Sequence, residues 1–205
     1  MKATKIKTLL KSSEINQIFV VKGWVKTFRA KRFIALNDGS SLKNLQCVVD
    51  FENFEESLLK RITTGAAIHL EGKLVESQGG GQKVELLVEK LEILGDSDPE
   101  KYPIQPKKHS LEFLREKAHL RVRTTTIAAV MRIRSKLSYA VHNFFQEQGF
   151  YYVNTPIITG SDAEGAGDMF RVSTLDAKNP PLNEVGNPDY KHDFFGKETN
   201  LTVSG

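Results

Sequence analysis

One cysteine in 205 residues is too few for an internal disulfide, so Cys47 reads as a small core residue. With five scattered histidines it offers no metal-ligand spacing, and no metal site is expected. Long apolar runs are missing too: no stretch approaches the roughly 20 residues needed to cross a bilayer. The opening "MKATKIKTLLKSSEINQIF" is too polar and too broken for a secretory segment. These absences exclude a disulfide scaffold, a membrane-spanning protein and a signal-led one. A soluble, cytoplasmic chain of one large or two small domains is expected, with 40% apolar residues to fill its cores.

Basic residues are present in excess and unevenly placed. Residues 1 to 43 carry ten Lys or Arg against Glu14 and Asp38, a net +8, while the remainder carries −4. A solvated lysine-rich face would account for much of this. The stretch "KTFRAKRF" is more pointed, because Phe28 and Phe33 alternate with Arg29, Lys31 and Arg32. Aromatic faces suit bases and neighbouring cations suit phosphates, which points to nucleic acid.

From Phe19 to Gly95 the pattern is short strands and turns. "FVVKGWVKTF", "RFIALND", "LQCVVD", "AAIHLEGKLVE" and "VELLVEKLEIL" read as five strands, with "FEESLLKRI" a short helix between the third and fourth. That order fits a five-stranded OB-type barrel over residues 1–95; another small barrel or a sandwich piece remains open on pattern alone. Trp24, Phe28 and Val48 are assigned to barrel packing. "SQGGGQK" lacks the spacing and the Ser or Thr of a phosphate-binding loop, so it reads as a surface hairpin. Residues 96–110, with three prolines and clustered charge, read as a linker.

After the linker the chain changes character. "LEFLREKAH" reads as a short helix and residues 126 to 148 as a long one. Ile127, Val130, Ile133, Leu137, Val141 and Phe144 recur at spacings of three and four, so they form one apolar stripe, and Gly149 stands where a helix-ending glycine belongs. "GFYYVNTPIIT" then predicts a strand from Phe150 to Ile158. Pro156 removes a ladder donor and pushes that strand to an edge or an interface.

The order of motifs resembles a known family. "FFQEQGFYYVNTPIIT" resembles motif 1 of class II aminoacyl-tRNA synthetases, and "GWVKTFRAKRFIALNDGSSLKNLQCVV" resembles the anticodon-binding barrel of the aspartate, asparagine and lysine subclass. "HLRVRT" is similar to the start of that subclass's catalytic domain. "SDAEGAGDMFRVSTLD" with "DFFGKETNLTVSG" resembles bacterial-type asparaginyl-tRNA synthetases, since aspartyl enzymes generally lack the "DFFGK" insertion.

The resemblance implies an α+β chain: an OB-fold anticodon-binding barrel, then, over residues 111–205, the first part of an antiparallel-sheet catalytic domain. It implies that Arg29, Phe33, Gln46 and, more weakly, Glu85 contact the anticodon, with Phe33 stacking on a base and Gln46 reading a uracil edge. Glu164 and Ser204 would face the amino acid, although an exposed loop carboxylate and a plain strand-end serine are the ordinary readings of those two. Pro156 would lie at a homodimer interface. The implied partners are tRNA(Asn), asparagine and ATP with Mg2+, and no membrane.

The arginine-bearing motifs 2 and 3 that grip ATP are absent from the sequence, and no catalytic residue is assigned. The chain is therefore expected to be the N-terminal portion of an asparagine–tRNA ligase, inactive by itself. The alternatives are a non-catalytic OB-fold tRNA-binding module and an aspartyl-type synthetase or related ligase paralogue.

Overall fold

In the computed structural model, which describes residues 2–161, 165 and 169–203, the chain divides into two compact units, Met1–Tyr139 and Ala140–Gly205. The first is built on five strands: β1 (Ile18–Arg29), β2 (Phe33–Asn37), β3 (Leu45–Val48), β4 (Ala67–Glu76) and β5 (Val84–Gly95). They close into a barrel in the order β1-β2-β3-β5-β4, and β4 pairs back onto β1. All ladders are antiparallel except β3 with β5, where Cys47 meets Leu86 and Val48 meets Leu87.

Alternation decides which face turns inward. On β2 and β4 every second residue is buried, placing Ile34 and Leu36, and Ile68, Leu70 and Leu74, in the interior. Leu45, Cys47 and Leu86 join them from β3 and β5. Cys47 is the core residue expected: burial pushes its thiol far above the ordinary range, so it has no thiolate to react. Two short helices, α1 (Ile6–Leu9) and α2 (Glu56–Lys60), add Ile6, Leu9 and Leu59 to the same core.

The first helix was not legible in the periodicity, because four residues make little more than one turn. Asp38 anchors it by accepting from the backbone N–H of Ile6 at 3.0 Å, while Ser40 accepts from Lys7 at 2.9 Å. Burial pushes the Asp38 carboxyl up, but the Ser40 hydroxyl and N–H, the Ile6 N–H and Lys5 outweigh it and hold it below the usual value.

Residues 96–110 form no regular element, yet they lie against the barrel. Arg61 forks onto Asp96 with two 2.8 Å hydrogen bonds, Thr63 donates to the Ser97 carbonyl at 2.5 Å, and Ile104 is buried. Helix α3 (Leu111–Glu116) follows, capped by Ser110, whose hydroxyl accepts from the Phe113 N–H.

Helix α4 (Thr125–Glu147) begins and ends within one residue of expectation. Its end is a left-handed cap: Gly149 has φ +85° and the Phe150 N–H returns to the Phe145 carbonyl at 3.0 Å. The rings of Phe145 and Phe150 meet edge-on at 5.5 Å, which is the apolar contact such a cap favours. No residue of α4 is buried, and the stripe residues Ile133 and Leu137 are 59% and 60% exposed.

The strand expected from Phe150 to Ile158 does not form. Residues 150–157 adopt no regular structure, and only Ile158–Thr159 (β6) pair, with Leu201 and Asn200 of β8 (Thr199–Leu201). Pro156 cannot donate to a ladder, and the chain following β8 meets the segment only at its end, where the Thr202 N–H donates to the Ile157 carbonyl at 3.0 Å. β8 pairs on its other side with β7 (Arg171–Val172), giving a small antiparallel sheet in the order β6-β8-β7.

This second unit is organised by hydrogen bonds. Its only buried residues among those described are Asp193 and Thr199, both polar. Asp193 accepts from the Ser173 hydroxyl at 2.6 Å, the Thr174 hydroxyl at 2.7 Å, the Thr174 N–H at 2.9 Å and the Phe194 N–H at 2.7 Å. Those donors hold its carboxyl well below the usual range. The "DFFGK" segment is thereby tied to the segment following β7.

Barrel closure leaves no room for a side chain at Gly23, where a Cβ would lie 2.6 Å from the Asn37 carbonyl oxygen, and least of all at Gly72. A Cβ on Gly72 would lie 2.0 Å from the Leu87 carbonyl oxygen, next to the register shift between Glu71 and Gly72. Gly72→Ala is expected to destabilise the chain by about 3 kcal/mol through forced separation of β4 and β5. A urea midpoint unchanged from wild type would contradict that.

Candidate nucleic-acid interface

The outward residues of β2 and β3 share one face of the barrel. Ala35 pairs with Gln46 and Phe33 with Val48, so Phe33 and Gln46 stand on the same side, two residues apart along the ladder. Phe33 is half-buried and capped from one side by the Arg32 guanidinium, 5.8 Å from the ring centroid. Arg29 pairs with Phe33 from β1, is exposed, and forms no ion pair among the described residues.

Gln46 is held more firmly than an exposed glutamine would be. Its Nε2 donates to Glu85 Oε2 at 3.0 Å, and its backbone N–H donates to Gln82 Oε1 at 3.3 Å. Glu85 is only 8% exposed, and the same oxygen accepts from the Ser77 hydroxyl at 3.2 Å. An ionised carboxylate accepts and does not donate, so it selects the orientation in which the glutamine amide faces it. The Gln46 carbonyl oxygen and its second amide hydrogen then remain for a ligand. One acceptor beside one donor is the complement of a base edge that offers N–H and C=O side by side.

Ser77 and Gln82 belong to the "SQGGGQK" hairpin, and the sequence pattern did not mark them as part of this face. Their signal lies only in position, as the polar residues flanking three glycines between β4 and β5. Trp24, expected in barrel packing, is outside the core cluster: its ring lies 4.5 Å below the Arg123 guanidinium. The pairing of Trp24 with Asn37 explains this, since Asn37 is an outward position of β2. Phe28 does pack against the core, whereas Val48, though only 8% exposed, is outside the core cluster because it pairs with Phe33 on the outward side of β3.

The other sequence-derived candidates lie apart from this face. Pro156 is exposed in the second unit. Glu164 and Ser204 fall outside the described residues. No group of three or more His, Cys, Asp or Glu that could hold a metal occurs among the described residues, and no helix is long and apolar enough to cross a membrane.

Two family models match the chain: the OB-fold nucleic acid binding domain over residues 19–94, and tRNA synthetases class II (D, K and N) over residues 110–181. Asparagine–tRNA ligase of Cytophaga hutchinsonii is 57% identical over 210 residues, which is 100% of this chain and 45% of the relative. That of Azobacteroides pseudotrichonymphae is 52% identical over 208 residues, again all of this chain and 45% of the relative. Over residues 110–181 the chain is therefore similar to class II tRNA synthetases of the D, K and N group.

It spans about half the length of the curated relatives it matches. Among solved structures it is similar in fold to asparaginyl-tRNA synthetase from Pyrococcus horikoshii complexed with asparaginyl-adenylate, with a TM-score of 0.78 and 22% identity over 100% of this chain and 43% of that one. The enzyme from Entamoeba histolytica gives 0.73 and 19%, over 100% and 44%. Within the family match, the barrel face described above is the part whose geometry suits a nucleic acid.

The turn leading into this face is strained. Ala30 and Lys31 have φ of 52° and 50°, between Arg29 and Arg32, whose N–H returns to the Arg29 carbonyl at 3.0 Å. Two successive left-handed residues define the hairpin turn that Asn-Gly fills without penalty. Ala30→Asn combined with Lys31→Gly is expected to stabilise the chain by about 1 kcal/mol, read as a higher urea midpoint at unchanged slope.

Proposed function

We infer that this chain serves an asparagine–tRNA ligase, in which ATP activates asparagine and the asparaginyl group passes to tRNA(Asn) in the cytoplasm. The observation that carries the reading is the pinned Gln46 amide beside Phe33, on a barrel whose relatives at 50% identity and above are named asparagine–tRNA ligases. In this proposal residues 1–95 recognise the anticodon, 96–110 connect, and 111–205 supply part of the catalytic domain.

Phe33 stacks on an unstacked loop base, Arg29 attends the neighbouring base or its phosphate, and Gln46 reads a uracil edge. Glu85 acts as the positioning group behind Gln46. Glu164 faces the α-ammonium of asparagine, and Ser204 lines the same pocket; this assignment rests on the family resemblance alone. ATP and Mg2+ enter through the family, and no residue of this chain is assigned to either.

The proposal extends to a two-fold homodimer that covers the stripe of α4 and the segment around Pro156. Six apolar side chains on one helix face, with Val130, Ile133, Leu137, Val141 and Phe144 each more than half exposed, support it. Burying such a stripe against a second copy is a self-complementary contact.

Two measurements test these parts. Binding of the chain to two anticodon hairpins that differ only at the central base should favour uracil. Gln46→Ala should abolish the preference and leave most of the affinity, whereas Phe33→Ala should weaken both hairpins by about 1 to 3 kcal/mol. Equal affinity of wild type for the two hairpins would remove the anticodon assignment.

For the dimer, Leu137→Glu in the longer synthetase should shift sedimentation at micromolar concentration from dimer to monomer, since one buried charge per copy costs several kcal/mol. A wild-type monomer, or a variant that still dimerises, would refute that interface.

A further inference from the structure

Away from the base-reading face, the first unit contains a concave cavity of about 1190 Å³ between β1, the β2–β3 connection, residues 102–109 and the start of α4. Its wall holds Lys26, Lys107, Lys108, Arg123, Arg132 and Lys136, and no aspartate or glutamate. None of these six forms an ion pair among the described residues. Some cations elsewhere are paired, Lys60 with Glu56, Arg61 with Asp96, Lys90 with Glu71 and Arg171 with Glu198, and others such as Arg29 are not; what sets these six apart is that they share one concavity without an acid. The acid adjacent in sequence, Asp38, is committed to Ser40 and the Ile6 N–H.

Two of the cations are held in place. Arg123 lies 4.5 Å from the Trp24 ring and donates from Nη1 to the Tyr102 hydroxyl at 3.2 Å, which orients its planar fork. Lys26 is half-buried and donates to the Arg123 carbonyl at 2.5 Å. Burial, and then the Arg123 charge, lower its affinity for a proton, and an anion beside it would oppose both effects. Arg132 donates from Nη2 to the Gly39 carbonyl, placing a third cation on the opposite wall.

We propose that this cavity is a binding site for a compact polyphosphate, an anion of three or more linked phosphates, separate from the Phe33 and Gln46 face. Six uncompensated cations around one concavity repel each other, and a ligand of closely spaced negative charge relieves that repulsion and meets the fork of Arg123 with paired oxygens. Size favours a small molecule. At about 1190 Å³ the concavity lies near the upper end of the roughly 300–1,000 Å³ of small-molecule pockets, so a compact anion would be held by converging charge and not by close shape fit. The site is independent of the anticodon assignment, because none of its six cations belongs to the base-reading face.

Calorimetric titration of the full 205-residue chain with sodium tripolyphosphate tests the proposal, in buffer of about 0.15 M ionic strength where loose surface attraction is screened. One saturable site per chain is expected, with orthophosphate at least about tenfold weaker. Arg132→Gln with Lys136→Gln should weaken tripolyphosphate about tenfold or more, and Lys107→Gln with Lys108→Gln should do so separately, both pairs lying on side chains whose loss leaves the core untouched. Lys5→Gln with Lys7→Gln removes the same charge elsewhere and should change affinity by less than about twofold.

Absence of saturable binding overturns the proposal, as does equal weakening by the Lys5 and Lys7 pair, which would mean general charge attraction. A titration with transfer RNA distinguishes the remaining source of phosphate. If the Arg132 and Lys136 pair weakens transfer RNA while tripolyphosphate fails to bind wild type, the cavity belongs to a nucleic-acid backbone and the proposal falls.

Discussion

Two parallel residue pairs, Cys47 with Leu86 and Val48 with Leu87, close the barrel, and the face proposed to read bases exists because of them. They join strands 39 positions apart in sequence, and in doing so set Glu85 one residue from the seam, beside Gln46. An open sheet of the same strands would leave the glutamine amide to rotate and the carboxylate in water. Closure buries the carboxylate, and a buried carboxylate must be satisfied by donors, here Gln46 and Ser77. The hydrogen bond that satisfies Glu85 therefore also fixes what Gln46 presents outward. In the proposed assignment, stability and selectivity share one interaction.

The two units are held together by different physics. In the barrel, eighteen buried residues form one hydrocarbon core, and polar groups decorate its outside. In the second unit the described residues bury no hydrocarbon side chain; four donors converge on Asp193 instead. Phe170, Val185 and Phe194 are more than three-quarters exposed there. Burying that much apolar surface stabilises at roughly 25 cal/mol per Å², so these side chains and the stripe of α4 mark where packing energy is still available to a covering surface. The proposed dimer uses the stripe.

Sequence patterning was most legible where one physical signal dominated. All five barrel strands were readable because alternation and turn residues agree from Phe19 to Gly95, and α4 because its stripe and Gly149 agree. The strand around Pro156 was misread, since apolar β-branched and aromatic residues announce strand propensity but cannot report whether a neighbouring strand is present to pair with. Phe33, Arg29 and Gln46 were nameable by resemblance, whereas the pinning of Gln46 was not. Gln82 and Glu85 reach it only through closure, and no local pattern encodes contacts 36 and 39 residues away; Ser77 joins through Glu85. Trp24 failed in a related way: an aromatic in a strand suggests core, and only the register with Asn37 reveals that it faces outward.

Charge placement separates two tasks that a net value of +4 conceals. The excess of cations in residues 1 to 43 creates a field that attracts any polyanion and weakens as salt rises. Such a field cannot distinguish one base from another. Discrimination needs neutral groups of fixed direction, and on the reading face these are an aromatic ring and an amide oriented by a buried carboxylate. Cations near that face, Arg29 and Arg32, flank the ring and do not contact the amide network. In the cavity the arrangement is reversed: the cations are gathered, uncompensated and partly oriented, while aromatic rings serve only to seat Arg123. A surface that reads bases keeps charge at its margin, and one that takes phosphates puts charge at its centre. Under the two proposals, the barrel and the segments packed on it hold both designs within one unit, on faces that do not share a charged residue.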